Sequence, residues 1–463
     1  MKTATAFCIS LLLLALILPV TALSESHVLV SPNEVMAKIR LGLPVEYDNV
    51  VIMGNLTSER LGLPAKQILR LPFEVRMPKF EEPMLANSSI VIRNSVISGR
   101  VDFNNTIFHK QVCFDNTLFV ENATFTHSTF DGDAIFTNCS FSKIGNFNGS
   151  EFNGKADFWQ AHFRKSASFT GARFERLADF IQAKFCSDAQ FISTEFSGDG
   201  IFSNTKFAGD AKFIGALFGQ VAEFNGTEFE RGAILKEANF AGSAQFLGPS
   251  FNETADFASA RFDKDACFKE AQFTGPASFE RAQFNDIIEF VDCKFQNATT
   301  FNNSNFNIDI LFCNTSFYGN VWFAAANFQR FVDLSGSQFF EDAQFRNSIF
   351  CGPADFSRSK FYRKLNLHNA LFKRNVHFQS CKIETLNLTN TRYEWLFLPW
   401  SAVNQLDFDD SAYQALIENY EKLQWQMDLF YCRSSYRGLV QTRRAINYSW
   451  IMNPMRFAAG FNN

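Results

Sequence analysis

The side chains able to do chemistry in this chain are carboxylates, thiols and imidazoles scattered among small polar residues. Asp157, Asp179, Asp256 and Asp355 each follow an alanine and precede a phenylalanine. Stacked carboxylates in that setting suit a cation or a sugar, and equally suit solubility and hydrogen bonding at turns. The six histidines are dispersed, and no HExxH, paired CxxC, Walker loop, GxGxxG or GxSxG is present. These motifs fix the geometry of metal, phosphate and acyl-transfer sites, so their absence leaves no catalytic, cofactor or metal residues to name. The chain reads as a protein that is not an enzyme. Thirteen N-x-[ST] sequons occur, among them Asn122, Asn225, Asn252 and Asn297. Most lie just outside apolar positions, within reach of a glycosylating enzyme.

The element that carries these residues is a repeat. In "ADFWQAHFRKSASFTGARFERLADFIQAKFCSDAQF" phenylalanine falls at Phe158, Phe163, Phe169, Phe174, Phe180, Phe185 and Phe191, in alternating steps of five and six. Every eleventh residue from Phe103 to Phe378 is Phe at 23 of 26 positions, the exceptions being Leu235, Leu334 and Leu367. Every eleventh from Phe108 to Ile383 is Phe at 25 of 26, so 48 of the 58 phenylalanines sit on one lattice without an insertion. A second series, mostly of small residues, lies two before each Phe, as at Ala156, Ala161 and Ala167, and further along at Thr194, Thr205, Ala211, Cys293, Thr299 and Val321. Residues two apart on an extended chain share a face. A small and a large residue therefore point inward, and the chain then turns. The Gly, Asn, Asp, Ser and Thr of the outward positions favour turns over a helix, so the repeat reads as a solenoid of short strands.

The motif "ADFWQ", with the looser "AHFRK", "ASFTG", "ARFER", "AKFCS" and "AQFTG", resembles the pentapeptide-repeat family in a Phe-centred form with one extra residue in every second unit. The resemblance runs from about Ile92 to Leu388. It implies an all-β solenoid, a right-handed quadrilateral β-helix of about 13 coils of 22 residues, roughly 60 Å long at the usual strand spacing. Phe158, Phe180, Phe202 and Phe224 should then stack coil on coil, with Phe213 in the same core. Removing one coil, Phe202 through Glu223, should leave a folded rod, and removing half a coil should be far worse. Cys139, Cys293 and Cys381 fall on the small inward position. Cys113, Cys186, Cys267, Cys313 and Cys351 fall on outward ones, and Cys432 lies beyond the array. No two in the array are 22 apart, so disulfides across adjacent coils are not expected.

The ends differ from the array. "MKTATAFCISLLLLALILPVTALSES" has a basic start, an apolar stretch and a small-residue site after Ala22, the pattern of an export signal. Nine cysteines follow it, an odd number for a disulfide framework. The domain reading is a signal peptide over 1–22, an N-terminal cap and irregular first coil over 23–91, the β-helix over 92–390 and a helical cap over 391–463. Residues 31–41 read as a short helix started by Ser31 and Pro32, and Val50 and Ile52 as part of the first coil. Residues 64–90 give no clear pattern. Tyr413, Leu416, Ile417, Tyr420 and Leu423 mark a helix with Asp410 or Ser411 as N-cap, and a second helix is expected over about 427–445. In larger pentapeptide-repeat proteins such a helix pair can lead into a channel-like membrane part. Here the remaining residues are too few and too polar to span a bilayer, which leaves surface association with a membrane.

The formal charge is −4, from 47 acidic and 43 basic residues, so a nucleic-acid partner is not expected. The reading that follows is a non-catalytic, exported rod at the cell surface, acting as a scaffold or interaction module for an unknown protein or envelope partner, with a homodimer open to it. A specific binder or inhibitor of a macromolecule, of the DNA-mimic type, is the alternative. An enzyme acting on surface polysaccharide is a third.

Overall fold

The computed structural model describes residues 27–58, 83–407 and 409–452, with side chains to residue 443. The export signal, most of the 64–90 stretch and the tail after Met452 lie outside the described residues.

The chain winds as a parallel four-sided β-solenoid. Each coil contributes four short strands, one per side, and each strand pairs with the strand 22 residues on: His162 with Lys184, Ala167 with Ala189, Arg173 with Glu195, Ala178 with Gly200. We number the sides one to four in that order. Side four forms a 16-stranded sheet from Val45–Asp48 to Leu396–Phe397, and side three a 15-stranded sheet from Met84–Ala86 to Arg392–Tyr393. Sides one and two form one 30-stranded sheet, because Lys360–Asn366 and Lys382–Asn387 run around the corner between them as continuous strands. Sixteen turns exceed the 13 expected. The additional coils are built from Val, Ile and Leu strands such as Val28–Val30 and Val50–Ile52 at one end and Val403–Leu406 at the other, which a count of phenylalanines does not register. At about 4.8 Å per strand the rod is about 70 Å long.

The core is the Phe lattice. Phe158 lies on Phe180 with ring centroids 4.9 Å apart and planes 1° from parallel; Phe180 repeats this on Phe202, and Phe202 on Phe224 at 4.9 Å and 4°. Phe163, Phe169, Phe174, Phe185, Phe191 and Phe213 are likewise buried, as are Ala156, Ala161 and Ala167. Across the core the Phe of sides four and two meet edge-on, as Phe158 meets Phe169 at 5.3 Å and 85°, the offset that aromatic quadrupoles favour.

The corners alternate. After the Phe of sides two and four the chain turns through two residues, the second left-handed. This makes a comb of positive φ, between 47° and 71°, at every eleventh residue from Asn94 to Ser380. Nine of its teeth are Asn and six are Gly, the residues that tolerate this conformation best. After sides one and three the turn takes three residues and no positive φ, which is where the sixth residue goes. A half-turn about the rod axis thus carries each corner onto one of its own kind. The expectation that losing half a coil would be far worse than losing a whole one does not survive this geometry, because the unit of the fold is eleven residues.

The small inward series also divides in two. The residue after each left-handed tooth is Ala or a hydroxyl or thiol donor, except Pro249, and the donors bond the carbonyl one coil and three residues back: Thr194 to Phe169 at 2.8 Å, Thr205 to Phe180 at 2.6 Å, Ser337 to Phe312 at 2.6 Å. Cys139, Cys293 and Cys381 make the same contact through Sγ to Phe114, Phe268 and Phe356. A buried polar group costs free energy unless it is paired, and here each has its carbonyl. The other small series, before the Phe of sides two and four, is apolar apart from Thr299, whose hydroxyl bonds Asn297 O at 3.2 Å.

Both ends of the core are covered. Helix α1 (Pro32–Arg40) starts at Ser31, whose hydroxyl accepts from Asn33 N, and buries Val35, Met36 and Ile39. Helix α2 (Asp410–Leu423) buries Tyr413, Leu416, Ile417 and Tyr420. Its N-cap is Asp409, one residue before the expected pair, because the Asp409 carboxylate reaches Ala412 N at 2.8 Å. Helix α3 (Gln426–Met452) follows and is longer than expected. Within α2, Asn419 accepts from Leu396 N at 3.2 Å and donates to Leu396 O at 2.8 Å. Its amide completes the last strand of side four and seals that edge.

Candidate interaction surfaces

The outward carboxylates close their own turns. Asp157 accepts from Trp159 N at 3.0 Å, Asp179 from Ile181 N at 3.0 Å, Asp256 from Ala258 N at 2.9 Å and Asp355 from Ser357 N at 2.8 Å. Each is an Asx turn holding the first residues of a two-residue corner. Burial lifts the Asp179 carboxyl above the usual carboxylate range. Asn and Asp at the three-residue corners work between coils: Asp133 accepts from Lys155 N, Asp199 from Val221 N and Asp309 from Phe331 N, at 2.9 to 3.1 Å. Turn bonding therefore accounts for the Asx content that could have served a cation. Among the described residues no group of three His, Cys, Asp or Glu is placed to hold a metal ion.

The sequons divide by the same logic. Asn122 and Asn225 are half-buried and accept from Ile144 N and Leu247 N of the next coil at 3.3 and 2.9 Å. Asn252 and Asn297 are exposed.

All nine described cysteines are free thiols. Cys113, expected to face outward, is buried; its register partners on the adjacent coils are Val91 and Ile135, and a small side chain between two larger apolar ones is covered by them. Burial pushes the Cys313, Cys381 and Cys432 thiols up to about 12 and raises Cys293 further. Cys186 alone is exposed, and its Sγ lies 3.1 Å from His162 Nε2. The pair is 24 residues apart, one coil plus two, a spacing that only a known coil length makes visible. Burial, with the nearby Arg164 and Lys184 charges, holds the His162 imidazole below its usual value, which makes the ring a weaker base toward the thiol. A thiol–imidazole pair on a flat side has no walls to hold a substrate, which nucleophilic catalysis needs. At neutral pH a maleimide should label Cys186 first and Cys351 more slowly. Cys113, Cys139, Cys293, Cys381 and Cys432 should react only after unfolding, and peptide mapping of a time course reads this directly.

One surface column is aromatic. Tyr318, Phe340 and Tyr362 stack at 4.6 and 4.9 Å with planes within 12°. The inner faces of the column cover one another, while Tyr318 and Tyr362 at its ends remain exposed. A shallow depression of 460 Å³ is lined by Asp309, Arg330, Cys351, Gly352, Pro353 and Arg374. Among the described residues no helix is long and apolar enough to cross a membrane.

A sequence model of the family described as Pentapeptide repeats (9 copies) matches the chain at residues 92–140, 125–172, 158–205, 202–246, 235–283 and 279–326. These blocks overlap to cover 92–326 without a gap, just over half the chain. No curated protein and no solved structure matches it. Repeat spacing, four-sided winding and family model agree, and the chain belongs to the pentapeptide-repeat family.

Proposed function

We propose that this protein is a non-catalytic, exported rod that serves at the cell surface as a scaffold or protein-interaction module. The observation that carries the reading is the use of its polar corners. The outward Asp and Asn side chains close turns or bridge coils and most thiols lie at least partly buried, and what remains to a partner is four long, rigid sides. Such a surface displays ligand-binding positions at a fixed spacing and changes shape little on binding. The leader-like sequence before Leu23 supports export, and the near-balanced charge of −4 favours a protein or envelope partner over nucleic acid. Asn252 and Asn297 are the sequons best exposed for glycosylation on that route.

The test is cross-linking on intact source cells followed by mass spectrometry, with the mature N-terminus read in the same run. A start at Leu23 with envelope or surface-layer partners is expected. A retained N-terminus with cytoplasmic partners overturns the reading and favours the enzyme-inhibitor alternative.

A further inference from the structure

The rod is electrically polarised along its axis. From Arg358 to Arg392 the chain holds eight Lys and Arg against one acid, Glu384, within a protein whose net charge is −4. Arg363 pairs with Glu341 at 3.1 Å and Lys364 with Asp407 at 2.7 Å. Arg358, Lys360, Lys373, Arg374, Lys382 and Arg392 are exposed, and none of these six forms an ion pair among the described residues. Lys360 and Lys382 stand in register on adjacent coils, a like-charge pair that is unfavourable until an anion relieves it.

These charges ring the rod. Lys360 and Lys382 are on side one, Arg392 on side three, Lys373 and Arg374 at the corner between sides three and four, and Arg358 at the corner between four and one. A polymer lying along one side would meet only a fraction of them. A flat surface approached end-on faces the whole ring, which spans two adjacent coils.

The tip beyond the ring exposes apolar side chains among charges of both signs; it is richer in acids, and Arg433 pairs with Glu421, but from Arg358 to Arg443 the bases still outnumber the acids twelve to eight. On α3, Leu429 and Cys432 face inward, while Met427, Phe430 and Tyr431 are 64%, 63% and 50% exposed. Arg433 and Arg437 follow on the same helix, both exposed. Trp395, on the last coil, is also exposed. Aromatic and apolar side chains at an end, with basic ones around it, match the layering of an anionic bilayer surface: apolar groups at the acyl boundary, cations among the headgroups. A second copy meeting tip to tip would bring two basic rings together, which like charge opposes.

We propose that the C-terminal tip seats end-on upon an anionic lipid surface, with Met427, Phe430 and Tyr431 in the interface and the basic ring at headgroup level. The inference goes beyond the scaffold reading and does not depend on export, since it concerns lipid charge and not which leaflet carries it.

The experiment is co-sedimentation of the full chain with phosphatidylcholine vesicles, with and without phosphatidylglycerol. Three variants accompany it. One combines Lys360→Gln, Lys373→Gln, Arg374→Gln and Lys382→Gln. A second combines Phe430→Ser and Tyr431→Ser. A third, Arg173→Gln with Lys206→Gln, removes two cations from the middle of the rod and controls for unspecific charge. All sites are exposed except Lys206, which is half-buried, and circular dichroism checks that each variant is folded. Binding only to the anionic vesicles, lost at least about tenfold in the first two variants and kept in the third, is the expected result. Equal binding to both vesicle types, no binding to either, or an equal loss in the mid-rod control overturns the proposal.

Discussion

A chain lacking Phe202–Lys212 should fold into a rod one half-coil shorter and unfold in a single transition, as should a chain lacking the full coil Phe202–Glu223. A chain lacking only Phe202–Lys206 should not. The first deletion joins Ile201 to Phe213, whose own left-handed tooth, Gly215, then occupies the place of Asn204. Two-residue corners still stack on two-residue corners, and the alternation of five and six continues. The five-residue deletion joins Ile201 to Phe207, which is followed by a three-residue corner. Everything downstream is then turned by one side, and left-handed corners meet corners of the other kind at the junction. Only nearest-neighbour coils touch in a solenoid, so the damage is confined to one interface, but there it removes the register of four Phe stacks. At about 1.5–3 kcal/mol for each buried ring, the coupling lost is about 6–12 kcal/mol. The two halves should unfold separately, giving two transitions in urea followed by circular dichroism. Hydrogen exchange should place the break beside residue 201. A single transition at the same midpoint for the five- and eleven-residue deletions would refute the half-turn symmetry.

That symmetry shows what could and could not be read from the residues. The beat of Phe158, Phe163, Phe169 and Phe174 determined the fold class and the stacking partners, because strand period and coil length are both written in apolar spacing. The teeth of the comb are harder to read. They are occupied by Asn, Gly, Ser, Gln, Glu, Arg and even Ala325, so composition conceals a conformation that the packing of the coil imposes. The split in the small series is equally hidden. Thr194 and Ala211 look interchangeable as small residues until the carbonyl of Phe169 is seen within reach of the Thr194 hydroxyl. The outermost coils went uncounted because Val50, Ile52, Leu396 and Leu406 do the work of phenylalanine there. Asn419, on the buried face of α2, has a role only once an unpaired strand edge lies beneath it. The candidate surfaces were the least legible part. The Cys186–His162 pair and the aromatic column are relations between coils, and both depend on the 22-residue coil.

Replacing Phe213 by alanine should cost about 3–5 kcal/mol in equilibrium unfolding, and replacing it by leucine should cost about 1 kcal/mol. The ring is fully buried, stacked on Phe191 at 4.7 Å and 3° and met edge-on by Phe202 and Phe224 at 5.3 and 5.4 Å. None of these neighbours is free to fill the space. Each is itself clamped in a stack along the rod, Phe202 between Phe180 and Phe224 at 4.9 Å on either side. A cavity that cannot collapse carries the full penalty of lost contacts in addition to lost burial. Leucine is different because the column already contains one. Leu235 occupies the next coil in the same column, buried like its Phe neighbours, so Phe213 has a ring to stack on from one side only. Phe213→Leu gives up that one face-to-face pairing, about 0.5–1.5 kcal/mol, and keeps most of the volume that Phe202 and Phe224 pack against. If alanine costs no more than leucine, the coils can close over a missing ring, and the core is held by its backbone ladders more than by the phenylalanines that mark it.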